Sequence, residues 1–163
     1  MKYPLAQVVL IKKKKYEEAE RTLQEKKTAL AKEEEKLKKV EEERDHVKKH
    51  KVDKLEQLRQ ELDKGSTTTK IQQMKAYLKV VDEQLKQKEI KVDQQKKQVR
   101  AAEDQVEIAR QDFIKKQKQV EKLHMHRKEW DKEMAKEASR KEEIETNEMG
   151  SLSHARKKRE SSS

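Results

Sequence analysis

Residues 71–113 read IQQMKAYLKVVDEQLKQKEIKVDQQKKQVRAAEDQVEIARQDF, and their spacing is helical throughout. Alternate steps of three and four meet Ile71, Met74, Leu78, Val81, Leu85, Lys88, Val92, Gln95, Val99, Ala102, Val106, Ala109 and Phe113. The rhythm continues through Lys116, Val120, Leu123, Arg127, Trp130 and Met134, then through Glu137 and Lys141 to Ile144. An apolar repeat of this kind lays one stripe along a helix and makes two such helices supercoil. No Gly or Pro interrupts it, so nothing in the sequence forces a break.

The stripe needs a partner, and the first third of the chain offers one. Leu5, Val9, Tyr16, Ala19, Leu23, Leu30, Leu37, Val40 and Val47 form a second seam. Beyond it, Leu55, Leu58 and Leu62 fall in phase only if a stutter of four residues is inserted near Lys51. Gly65 is a natural helix stop in the left-handed conformation. Thr69 and Gln72 have capping-box spacing for a new helix.

The fold class is therefore all-α: two long helices in an antiparallel coiled-coil hairpin. The expected boundaries are helix 4–64, turn 65–69 and helix 70–148, with Pro4 in the first turn, where its missing donor costs nothing. At ~1.5 Å per residue the helices span about 90 Å and about 120 Å, so the second overhangs the first beyond about Trp130. Gly150 should end it, leaving 149–163 as a disordered basic and Ser-rich tail. Four opposite-sign pairs are expected across the seam: Lys26 with Glu107, Glu33 with Arg100, Arg44 with Glu89 and Lys51 with Asp82.

Composition agrees with this architecture. The 163-residue chain is 47% charged, 31% hydrophobic and 3% aromatic, too polar for a globular core but sufficient for a narrow seam. Without cysteine it has no disulfide and no thiolate metal site. No apolar run approaches the ~20 residues of a membrane helix, and the start lacks the features of a Sec signal. The net charge of +10 invites nucleic acid, but Lys and Glu alternate on nearly every face. Glu17, Glu18 and Glu20 follow Lys12–Lys15 at once, unlike the acid-free basic region of a zipper factor. The interleaving reads as a solvated coiled-coil exterior rather than a nucleic-acid surface.

Catalysis needs convergent groups in a pocket that excludes water, and a two-helix coil supplies none. No phosphate-cradling Gly loop and no nucleophile with a base is present. His46 and His50 have i, i+4 spacing but no third ligand, so they read as solvated side chains. The sequence predicts neither an enzyme nor a cofactor or metal site.

Three places depart from the plain pattern. Val8 to Ile11 are four consecutive apolar residues, of which the seam can use only Val9 and part of Val8. Leu10 and Ile11 must then face outward as a contact patch, with Leu5 nearby and Lys12 and Lys13 opening a basic collar. Trp130, the only Trp, is expected to close the end of the coil. Tyr77 lies beside the seam near the turn and is a candidate partner contact.

The opening Tyr3-Pro4-Leu5, followed by Val8, Ile11, Ala19 and Leu23, resembles the start of the YscO-like proteins of bacterial type III secretion, relatives of the flagellar export protein FliJ. The polar turn, Tyr77, Ala102, Ala109, Lys122-Leu123, Trp130 and Glu142-Glu143 extend the resemblance to about Glu148, to a chlamydial member in particular. The resemblance implies a stalk, similar in shape to that of rotary ATPases, that engages the hexameric secretion ATPase and connects it to an export-gate protein. Some such proteins bind export chaperones, and some are themselves exported. It also implies a place in the bacterial cytoplasm, peripheral to the inner membrane at the secretion apparatus. On the rotary analogy, the end with both termini enters the ring, and that end carries Leu5, Val8, Leu10, Ile11 and Trp130. The alternative is a scaffold coiled coil that homo-oligomerises through the overhang.

Overall fold

The computed structural model describes residues 2–162. Helix α1 (Ala6–Asp63) and helix α2 (Thr68–Ser161) form an antiparallel coiled-coil hairpin, with no strand among the described residues.

Local chemistry sets the turn. Gly65 has φ +71°, a conformation that only glycine adopts without strain. The Ser66 N–H donates to the Glu61 carbonyl at 3.1 Å and the Gly65 N–H to that of Leu62 at 3.2 Å. These two bonds make a Schellman motif, which satisfies carbonyls left open at the end of α1. The cap of α2 is Thr67 rather than Thr69: its Oγ1 accepts the Lys70 N–H at 3.4 Å, and its carbonyl accepts the first helical bond from Ile71 at 3.1 Å. The turn is thus shorter than the capping box predicts. At the other end, Pro4 and Leu5 precede the helix proper, and the Ala6 N–H donates to the Tyr3 carbonyl at 3.2 Å.

The chain forms two compact units, Ala19–Phe113 and a second made of residues 1–18 with 114–163. In the Ala19–Phe113 unit the α2 stripe is the core. Val81, Leu85, Val92, Val99, Val106 and Ala109 are buried, Val81 and Val92 completely. Leu23 of α1 packs on Val106 and Ala109, with Leu30 and Phe113 against the cluster.

The α1 seam contains no stutter. Its inward positions keep the three-four rhythm through Lys51, Lys54, Leu58 and Glu61, while Leu55 and Leu62 remain 39% and 49% exposed. The opposing α2 stripe has no phase change, so α1 keeps register by placing charged side chains inward. Lys51 is paired with Asp82 at 2.6 Å and Glu61 with Lys70 at 3.3 Å, and the Lys stems contribute apolar cover.

Of the four expected cross-seam pairs, only Lys51–Asp82 forms. Glu33 accepts from the Gln95 amide, Arg44 turns to Asp45 at 3.1 Å, and Glu107 pairs with Arg110 on its own helix at 3.5 Å. Long flexible side chains have several partners within reach, and register alone does not select among them.

α2 does not stop at Gly150. Residues 149–161, expected to be disordered, continue the helix to Ser161. One glycine costs a helix roughly 1 kcal/mol relative to alanine without breaking it. Lys158 and Arg159 suit the negative pole of the last turn, and the Ser161 and Ser162 hydroxyls donate to the Lys158 carbonyl at 3.0 Å.

Candidate functional site

In the unit made of residues 1–18 and 114–163, α1 presents an apolar surface with no cover. Val9 turns inward and is half-buried, whereas Val8, Leu10 and Ile11 are 37%, 67% and 54% exposed. Four consecutive apolar residues occupy about a full turn of helix, and a two-helix seam covers only one side of it. Leu5 and Lys12 are half-buried at seam positions, and Lys13 to Lys15 are exposed.

Tyr3 anchors the start of this surface. It precedes the helix, yet it is buried by α2 residues of the same unit. Its ring meets Trp130 edge-on with centroids 5.4 Å apart, its hydroxyl hydrogen-bonds His126 Nδ1, and the Arg127 guanidinium lies 5.6 Å from its ring centre. Trp130 is half-buried and closes this end, as its seam position predicts. In sequence Tyr3 stood out only as part of the Tyr3-Pro4-Leu5 start that carries the family resemblance, not as a packing residue. No periodic signal marks a side chain that packs back from outside a helix.

Beside Tyr3, α1 and α2 bound a groove of about 510 Å³. Val9, Val120 and Leu123 supply apolar lining, Met125 is 68% exposed, and Lys13, Arg127 and Lys128 bring positive charge against a single acid, Glu121. Met125 lies off the seam stripe, so seam periodicity gives no reason to single it out.

Tyr77 belongs to the Ala19–Phe113 unit and is a separate feature. Its ring is 46% exposed, its hydroxyl shares a 2.8 Å hydrogen bond with His50 Nε2, and Lys54 Nζ sits 5.6 Å from its ring centre. His50 is therefore held by Tyr77 rather than simply solvated. A shallow groove of about 420 Å³ runs from Tyr77 past Met74 to Glu61 and Lys70. The Glu61 carboxyl is held below the usual carboxylate range by a hydrogen bond with Ser66 and then by Lys70.

These surfaces are chemically simple: apolar patches with charged rims, suited to binding another protein. No described helix is long and apolar enough to cross a membrane, and the described residues contain no cluster of three potential metal ligands.

The family model for YscO-like proteins matches residues 1–160. A solved structure from Chlamydia trachomatis, described as a YscO homolog, is 45% identical to this chain with a TM-score of 0.91, covering 98% of each chain. No curated protein sequence gives a significant match.

Proposed function

Because the chain belongs to the YscO-like family, a type III secretion-related family, we propose that it is a non-enzymatic stalk of the secretion apparatus. It binds the hexameric secretion ATPase through its N-terminal patch and couples that ring to an export-gate protein. The observation that carries this reading is the outward pair Leu10 and Ile11, 67% and 54% exposed directly before Lys12–Lys15. Exposed apolar side chains beside a basic collar favour a protein partner, because their burial on binding is favourable and the collar steers an acidic surface. Val8, Leu5, Lys12 and Lys13 complete the contact, while Trp130 and Tyr3 hold this part of α1 on α2.

A two-helix section has no six-fold symmetry. Inside a hexameric ring it contacts the subunits unequally and biases which of them bind and hydrolyse nucleotide. The exposed Tyr77, fixed by His50 and Lys54, is the second contact, for the export gate or an export chaperone. On this reading the protein works in the bacterial cytoplasm, peripheral to the inner membrane.

The test is binding of the secretion ATPase to the full chain and to the double variant Leu10→Ser, Ile11→Ser. Both positions are exposed, so circular dichroism should be unchanged, while affinity should fall roughly tenfold or more, as for hot-spot side chains. Undiminished binding by a folded variant overturns the assignment of the patch.

A further inference from the structure

The second half of α2 carries a regular stripe that its own chain leaves uncovered. His124, Lys128, Asp131, Ala135, Ala138 and Glu142 follow at steps of four and three, and Glu145, Met149 and Leu152 continue the series. Every one of these is exposed. Such spacing keeps one helix face turned toward a partner helix.

The stripe is polarised. Its first part borders the groove, where Lys13, Arg127 and Lys128 surround the apolar Val120 and Leu123. Its last part is acidic and apolar. Glu142 and Glu145 lie on it and Glu143 and Glu148 beside it, with no base between residues 142 and 148, and Met149 and Leu152 are 73% and 71% exposed. Between the two, Ala135 and Ala138 carry no side chain beyond Cβ, so a second helix can approach closely.

A surface that is basic and grooved at one end, small in the middle, and acidic and apolar at the other is complementary to itself when reversed. We infer that two copies of this chain associate antiparallel through residues 121–152 of α2, each laying its acidic end over the other's groove. The contact is isologous, so every favourable pair is made twice. A crossing at Ala135 and Ala138 sets Lys128 opposite Glu145 of the other copy and His124 beside its Met149. The occupant is a second copy because the complement of the groove lies on this chain, on the same helix face and on the opposite side of the alanines. The chain's own acidic end cannot fold back, since α2 is continuous to Ser161. The same register opposes Asp131 to Glu142, a like-sign pair that symmetry also makes twice and that weakens the contact. The inference does not depend on ATPase binding, but Lys13 belongs to both surfaces, so dimer and ATPase complex should compete.

Sedimentation velocity of the full chain across concentration and salt tests this. The wild type should show a monomer–dimer equilibrium that weakens as salt rises. The variants Glu142→Lys, Glu143→Lys, Glu145→Lys and Arg127→Glu, Lys128→Glu should each be monomeric alone. Mixed in equal amounts they should dimerise, because one contact then keeps its wild-type charges and the other has both signs exchanged, so both pair opposite signs. This rescue separates lost contact from lost folding. Asp131→Lys should tighten the dimer several-fold. A wild type that stays monomeric, a dimer that neither variant disturbs, a mixture that stays monomeric, or a monomer whose groove takes up only an added acidic helical peptide overturns the inference.

Discussion

Asp82 is the residue at which charge and fold meet. The hydrogen bond from Lys51, then the Lys51 charge and then Lys86 at 3.7 Å, hold its carboxyl below the usual carboxylate range. A carboxyl depressed by folding contributes stability at pH values above its ordinary pKa and loses it as pH falls through the lowered value. Unfolding temperature should therefore be insensitive to this pair between about pH 5 and 8 and should drop below about pH 4, the ordinary carboxylate range. Asp82→Asn should lower stability at neutral pH and flatten that acid-side drop, measured by thermal melts at both ends of the range. The two glycines make a sharper pair of opposites. A Cβ meets no atom within 4 Å at either. Even so, Gly65→Ala should cost about 1 kcal/mol, because the positive φ strains any L side chain, and Gly150→Ala should add about 1 kcal/mol to local helix stability. Comparing helix content and melting temperature of the two variants checks the signs. Gly65 was legible from sequence because its left-handed role is local. Lys51–Asp82 was legible from register, but the choices of Arg44 and Glu33 were not, since a long polar side chain selects among neighbours that sequence spacing does not rank.

At the scale of the element, the α2 stripe was readable at every buried position, because one period of apolar residues has one inward face. The end of α1 was not. Leu55, Leu58 and Leu62 invite a phase shift, and counting apolar residues favours it. The structure keeps the phase and buries only Leu58 of the three. An unbroken seam preserves every knob on the opposing helix, and Lys51, Lys54 and Glu61 tolerate inward positions because their charged ends reach polar partners or solvent. Leu58→Ala should therefore cost about 2 kcal/mol or more by chemical denaturation, as buried leucine truncations do. Leu55→Ser and Leu62→Ser should stay within about 0.5 kcal/mol of wild type, the range of ordinary surface changes. The opposite ranking would restore the stutter. The same logic explains α2 beyond Gly150: helix persists there on propensity and end charges, a balance that a single glycine does not reverse.

Across the whole molecule, burial is unevenly shared. The Ala19–Phe113 unit holds every buried apolar residue among those described except Tyr3. The other unit relies on half-buried positions such as Val9, Val120, Leu123 and Trp130, and α2 beyond Met134 has only exposed side chains. Local opening is easiest where few apolar side chains are buried, so amide exchange should be graded along the chain. Amides near Val81, Val92 and Val99 should exchange most slowly, those of residues 5–18 and 114–134 at intermediate rates, and those of 135–161 fastest. Val92→Ala, which empties a fully buried position, should lower the global stability by about 2 kcal/mol and speed exchange throughout the Ala19–Phe113 unit. It should leave 135–161 unchanged, because those amides already open without global unfolding. Adding the secretion ATPase should then slow exchange in residues 5–15 well beyond the free protein. The change should be largest at Leu10 and Ile11, in the second turn of α1, where the side chains are exposed and no tertiary packing protects the amides. Protection that appears only around Tyr77, with residues 5–15 unaffected, would move the ATPase contact to the turn-proximal surface and leave the N-terminal patch to another partner.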